Sequence, residues 1–378
     1  MADKPLVPYL AAAAPVVART RQLFPAAVVS VIGCFGLSWD TCAPALRQAY
    51  ANGSAHRLFD AVTIHNYGPD NDTITAHACT DADRRCVTLA AVRPVLFSMA
   101  RRVSTGISPT VPIWLDEFNW GGSWSGKVTW PAETHGALRG LLWAAYVLSA
   151  IVINDGLHAA GPATESGGGF ASLMYYSLFY QASSPWSHWA SCASVPDAAN
   201  SPGAVRFDGV AQVIAHVTHV AFQMGYADVA AVVNVTTASI PAELHIDASA
   251  GNSCVIAVRF THADCGDSAS SGSGGVEAVC GNSTIVALNM CPAVAVVTRP
   301  LGTAGGTLAA WEYYSGFDTG GWVLASVIGS LASPPWSNGP LLVHTGTTAA
   351  APLQLPPVSL SLLHYAAVAG DARDVQAQ

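Results

Sequence analysis

Val111-Pro-Ile-Trp-Leu-Asp-Glu-Phe-Asn119 is an apolar run that ends in two adjacent carboxylates, and the glycine-rich stretch Trp120-Gly-Gly-Ser-Trp-Ser-Gly126 follows it directly. Successive side chains of a strand point to opposite faces. Alternation therefore places Ile113, Leu115 and Glu117 on one side and Trp114 and Asp116 on the other. A carboxylate at the C-terminal end of a buried strand stands where barrel enzymes do their chemistry. On this reading Glu117 faces a barrel mouth, Ile113 and Leu115 fill the interior, and Asp116 turns away toward a helical layer.

About fifty residues upstream, Phe59-Asp-Ala-Val-Thr-Ile-His-Asn-Tyr67 repeats the pattern, with polar and aromatic groups emerging only at its end. Ala61, Thr63, His65 and Tyr67 share a face under the same alternation, which sets His65 and Tyr67 beside Glu117. The two strand ends imply one shared face. The bland reading of His65 and Tyr67 is a satisfied strand-end hydrogen bond, and that of Glu117 is a buried ion pair with an arginine.

Outward from these strands, residues 8–24 predict an alanine-rich amphipathic helix and residues 25–34 a buried strand. Residues 42–50 and 87–103 predict helices, the second with Arg93, Arg101 and Arg102 on its polar side. An apolar helix is expected over 135–149 and the start of a further strand over 151–154. The apolar run 141–153 is shorter than the roughly 20 residues that span a bilayer, and predicts buried core. A long loop over 156–169 carries His158 and Glu165, which are either ligand contacts or solvated positions, and an aromatic helix is expected over 173–180.

From about residue 226 the texture changes to short β-branched runs between Gly, Ser, Asn and Pro clusters, the signature of an all-β module. Strands are expected over 229–236, 254–261, 284–290, 293–298, 308–314, 322–327, 341–344 and 359–365. The division drawn from this is an α/β part over 1–225 and an all-β part over 226–370.

Taken together, residues 59–67 and 113–119 resemble strands six and seven of retaining glycoside hydrolases of the large TIM-barrel clan. The ending Leu115-Asp-Glu-Phe-Asn119 is most similar to that of α-L-arabinofuranosidases, with β-glucuronidase and heparanase-like families close behind. The resemblance implies a partial (β/α)8 barrel, about strands five to eight, followed by a β-sandwich. It also implies Glu117 as the nucleophile of a two-step mechanism. A glycosyl-enzyme intermediate needs an ionised carboxylate near the anomeric carbon, and a neighbouring His or Tyr orients it and keeps it charged. His65, Tyr67, Asn119, Trp120, Trp124 and Glu165 are the expected substrate-binding residues, the two tryptophans as sugar-stacking or packing aromatics.

Retaining hydrolysis uses a second carboxylate roughly 5 Å from the first, which in the resembled clan closes an Asn-Glu pair on strand four. No glutamate lies between Met1 and Asp116, so that acid/base has no counterpart here. The expectation is a chain that begins in mid-barrel and lacks the acid/base. The alternative is a catalytically inactive glycan-binding pseudoenzyme. A serine hydrolase is excluded, because Gly122-Ser-Trp-Ser-Gly126 has Trp124 where the nucleophile elbow needs serine.

With 378 residues the chain has room for two domains. Its net charge of −8 without a basic cluster argues against nucleic acid, whose binding rests on Lys and Arg at phosphates. A neutral carbohydrate needs no such charge. No CxxC and no His/Cys group with zinc spacing occurs, so neither metal nor cofactor is expected.

The nine cysteines fall largely into close neighbours, Cys34 with Cys42, Cys79 with Cys86, Cys254 with Cys265 and Cys280 with Cys291, while Cys192 is left over. With sequons at Asn52, Asn71, Asn234 and Asn282, they point to a secreted, endomembrane or vacuolar glycoprotein. Residues 1–17 make a poor signal peptide because prolines interrupt the apolar stretch. No membrane span is expected. Open strand edges of a half-barrel predict self-association or pairing with a missing N-terminal half.

Overall fold

The computed structural model describes residues 6–33, 39–51, 57–66, 81–118, 137–160 and 168–175, and further on 192–194, 205–207, 217–218, 224–229, 255–262, 283–290, 295–297, 307–315, 342–346, 353–355 and 359–366. Two compact units divide the chain, one with the parallel strands and one with the antiparallel strands.

In the first unit, helix α1 (Leu6–Leu23) precedes strand β1 (Ser30–Ile32), helix α2 (Trp39–Ala51) and strand β2 (Ala61–Asn66). Helix α3 (Asp81–Gly106), strand β3 (Pro112–Phe118), helix α4 (Ala137–Ala160) and strand β4 (Gly169–Tyr175) follow in the chain, the two strands with residues 93–106 of α3 and 149–160 of α4 belonging to this unit. The four strands form one parallel sheet in the order β1-β2-β3-β4. Parallel neighbours in sequence order, joined by helices, are the arrangement of a partial α/β barrel.

Apolar spacing explains the helices. In α2, Cys42, Ala43, Leu46, Ala49 and Tyr50 are buried, and in α3 so are Val92, Leu96, Ala100 and Val103; both sets keep one face of a 3.6-residue period. Arg47 of α2 caps the end of α3, donating from Nε to the Gly106 carbonyl at 2.8 Å and from a terminal nitrogen to that of Thr105 at 3.0 Å. In β2, Ala61, Val62 and Thr63 are buried in succession, as expected of a parallel sheet covered on both faces. Cys42 takes part in a disulfide; Cys34 lies outside the described residues.

Expectations along this half are corrected. The buried strand expected over 25–34 is confined to Ser30–Ile32, where Val31 alone is buried and Val28 before it is exposed. Residues 151–154, expected to open a strand, continue α4, and the strand lies instead over Gly169–Tyr175, where an aromatic helix was expected from residue 173. Ile151-Val-Ile153 carries strand propensity, but the run 141–150 is buried almost without interruption, and burial overrides propensity. Two glycines admit β4. Gly169 has a φ of 100°, and a Cβ on Gly168 would collide with the Pro109 carbonyl oxygen.

The second unit is antiparallel. Strands β5 (Cys192–Ser194) and β6 (Val205–Phe207) pair with each other. A six-stranded sheet follows from β7 (Met224–Val229), β8 (Val255–His262), β9 (Ser283–Asn289), β11 (Thr307–Ser315), β12 (Leu342–Gly346) and β14 (Ser359–Ala366), in the order β12-β11-β14-β9-β8-β7. Strands β10 (Ala295–Val297) and β13 (Leu353–Leu355) form a separate ladder.

Six of the eight expected β runs coincide with these strands, β7 meets the expected run 229–236 at Val229, and the rest of that run, like 322–327, lies outside the described residues. Thr284–Asn289 of β9 and Ser359–Leu363 of β14 are buried residue after residue, so both faces of the central sheet are covered. Asn289 donates from Nδ2 to the Leu355 carbonyl at 3.1 Å, which ties this sheet to the β10–β13 ladder.

Candidate functional site

The C-terminal ends of β2 and β3 lie side by side. Val62, Thr63 and Ile64 pair in register with Ile113, Trp114 and Leu115, but His65 pairs with Glu117 and Asn66 with Phe118. Against β4, Leu115 pairs with Leu173 and Phe118 with Tyr175. Relative to both neighbours β3 thus carries one extra residue between Leu115 and Phe118. This is a β-bulge, a feature that breaks alternation and re-aims side chains, often beside active sites.

Burial follows the bulge. Ile113 and Leu115 are buried, the next buried position is Phe118, and Asp116 and Glu117 are both half-buried. Phe118 is held edge-on to Tyr175, with ring centroids 5.7 Å apart and planes at 69°. The expectation that Asp116 turns away from Glu117 is corrected here, since strict alternation fails at this residue.

One imidazole receives both carboxylates. His65 Nε2 lies 3.2 Å from Asp116 Oδ1, and His65 Nδ1 lies 3.4 Å from Glu117 Oε2. The three side chains keep 23%, 25% and 32% of their surface exposed, enough to meet a ligand and little enough to weaken screening by water. Asp116 Oδ1 itself is buried and makes no well-aligned hydrogen bond among the described residues.

His65 and Glu117 are thus adjacent, and Asp116 joins them although the sequence assigned it no part. Tyr67, Asn119, Trp120, Trp124 and Glu165 lie outside the described residues, and so does the side chain of His158. Among the described residues no group of three His, Cys, Asp or Glu has the arrangement of a metal site, and no helix is long and apolar enough to cross a membrane.

No protein-family model matches the chain, and no curated protein matches it in sequence. Solved structures do match in fold. Over 96% of its length the chain superimposes on AbfB, a family 51 α-L-arabinofuranosidase from Bifidobacterium longum, with TM-score 0.56 and 12% identity, covering 63% of that chain. An α-L-arabinofuranosidase from Thermotoga maritima, solved as an arabinose complex, gives TM-score 0.54 and 11% identity over 95% of this chain and 61% of its own. The arabinose-bound α-L-arabinofuranosidase MgGH51 gives 0.51 at 11% identity over 95% of this chain and 43% of its own. The chain spans about six tenths of the length of the first two, and the likeness is one of fold, shared with glycoside hydrolases.

Proposed function

We propose that this chain is a glycoside hydrolase-like protein acting on the O-glycosidic bonds of a polysaccharide or glycoconjugate, with Glu117 as nucleophile of a retaining mechanism. The observation that carries the reading is the placement of Glu117 against His65 at the C-terminal ends of adjacent parallel strands. The fold shared with arabinofuranosidases supports it. An α-L-arabinofuranoside is the first substrate to try, since the strand ending Leu115-Asp-Glu-Phe-Asn119 resembles that family.

In the first step a Glu117 carboxylate oxygen bonds to the anomeric carbon as the bond to the leaving oxygen breaks. In the second, water displaces the carboxylate with net retention. An aglycone that is already a good leaving group departs as its anion and needs little protonation. The step at Glu117 is therefore separable from an acid/base. Tyr67, Asn119, Trp120, Trp124 and Glu165 are proposed to complete the sugar site. The part over 226–370 is proposed to be a β-sandwich, a reading supported by the doubly covered β9 and β14 and by the Asn289 bridge to a second ladder. The domain boundary is proposed near residue 225.

The test is covalent trapping. An activated 2-deoxy-2-fluoro-α-L-arabinofuranosyl donor, incubated with the protein and followed by peptide mass mapping, is expected to label the peptide holding Glu117. Label on another residue overturns the assignment. No label from arabinosyl, glucosyl or glucuronyl donors, combined with measurable oligosaccharide binding, would favour the non-catalytic glycan binder.

A further inference from the structure

We propose that Asp116 is a positioning residue for Glu117 and acts through His65, whose ring it anchors at Nε2 so that Nδ1 faces the Glu117 carboxylate. This rests on the reading of Glu117 as nucleophile. The bulge is what makes it feasible, because in an unbroken strand consecutive side chains lie on opposite faces and could not share one imidazole.

The donor inventory of the ring gives the anchor its meaning. A neutral imidazole has one N–H and one lone pair, whereas both of its nitrogens here face carboxylate oxygens, at 3.2 Å and 3.4 Å. Each neutral tautomer serves one carboxylate and turns a lone pair on the other. The protonated ring donates to both. Asp116 Oδ1 is buried and faces His65 Nε2 at 3.2 Å, an ion-pair contact rather than an aligned hydrogen bond, and this contact offsets its desolvation.

The Asp116 carboxylate at 3.2 Å favours the tautomer with its proton on Nε2 and restrains the ring plane. Nδ1 then faces Glu117 Oε2 at 3.4 Å. Without Asp116 the ring loses its restraint at Nε2, and the balance between its tautomers and its orientation shifts. Glu117 is then held in a different orientation toward an incoming anomeric carbon.

The test pairs a spectroscopic readout with a kinetic one. In protein carrying 15N-histidine, the His65 ring signals, assigned through His65→Gln, report the tautomer directly. Asp116→Asn, which keeps shape and removes charge, and Asp116→Ala are both expected to change the His65 pattern while His364, held by Thr284 at 2.9 Å, keeps its own. Labelling of Glu117 by the fluoroglycoside is expected to slow about tenfold or more in Asp116→Asn, as when the carboxylate behind an orienting histidine is neutralised in other sites. An unchanged His65 pattern in both variants overturns the proposal, as does a changed pattern with an unchanged labelling rate. If the parent protein takes no label, the nucleophile reading falls, and the ring signals alone decide whether Asp116 sets the His65 tautomer.

Discussion

Asn154 shows how one side chain stands in for a strand. Its Nδ2 donates to the Phe170 carbonyl at 2.8 Å and its Oδ1 accepts from the Phe170 N–H at 2.8 Å, the two bonds a further strand would supply to β4. Asn154→Leu leaves both backbone groups without this partner, and urea unfolding should record a loss of about 2 kcal/mol or more. At Glu117 the expected cost is functional. Glu117→Gln keeps the shape, loses the nucleophile, and should lower turnover of an aryl arabinofuranoside by roughly 10³-fold or more, with covalent label abolished. His65 and Glu117 were legible in the sequence because each closes a short apolar run. Asp116 was not, because a bulge adds no residue type that marks it; the pairing of β3 with both neighbours reveals it.

At the scale of elements, α1 owes its attachment to a few polar contacts. Leu10 is its one fully buried hydrophobic residue among those described, while Arg21 near its end reaches the Asp60 carboxylate at 2.9 Å and also the Arg57 carbonyl. Asp60 accepts the Val29 N–H at 2.9 Å as well, so one carboxylate fastens α1, the approach to β1 and the entrance to β2. Asp60→Ala should cost about 1–2 kcal/mol, since the pair is partly exposed. Amide exchange should speed over Leu6–Leu23 while β9 and β14 keep their protection; uniform acceleration across all of them would refute a local anchor. The same scale shows where sequence reading fails. Strand β4 begins at glycines placed by a close approach to Pro109, and α4 continues through β-branched residues because its surroundings bury it. Both are tertiary causes, absent from any local pattern. By contrast α2 carries its helical period, and β2, β3 and most of the antiparallel strands carry short apolar or β-branched runs, in their own residues, and these were legible.

Among the described residues of the molecule, the large exposed apolar side chains gather in one place, with Phe97 and Met174 the exceptions. Val7, Tyr9, Val16, Leu23, Phe24, Val28 and Ile32 all belong to α1, β1 and the turn between them, with Phe24 64% and Ile32 56% exposed. Strand β1 also has a single neighbour among the described strands. A parallel sheet is ordinarily covered on both faces, and an uncovered edge of backbone donors and acceptors invites pairing. Large apolar side chains gathered at such an edge mark a surface that leaves water when it can. The expected consequence is concentration-dependent self-association of the isolated chain, visible by light scattering as a mass above 39.0 kDa. Phe24→Lys with Ile32→Lys should return the mass toward the monomer without lowering the unfolding midpoint, because neither side chain is buried. A parent chain that stays a monodisperse monomer across the concentration range would show that this edge is tolerated in water, and with it the half-barrel reading would lose its main physical consequence.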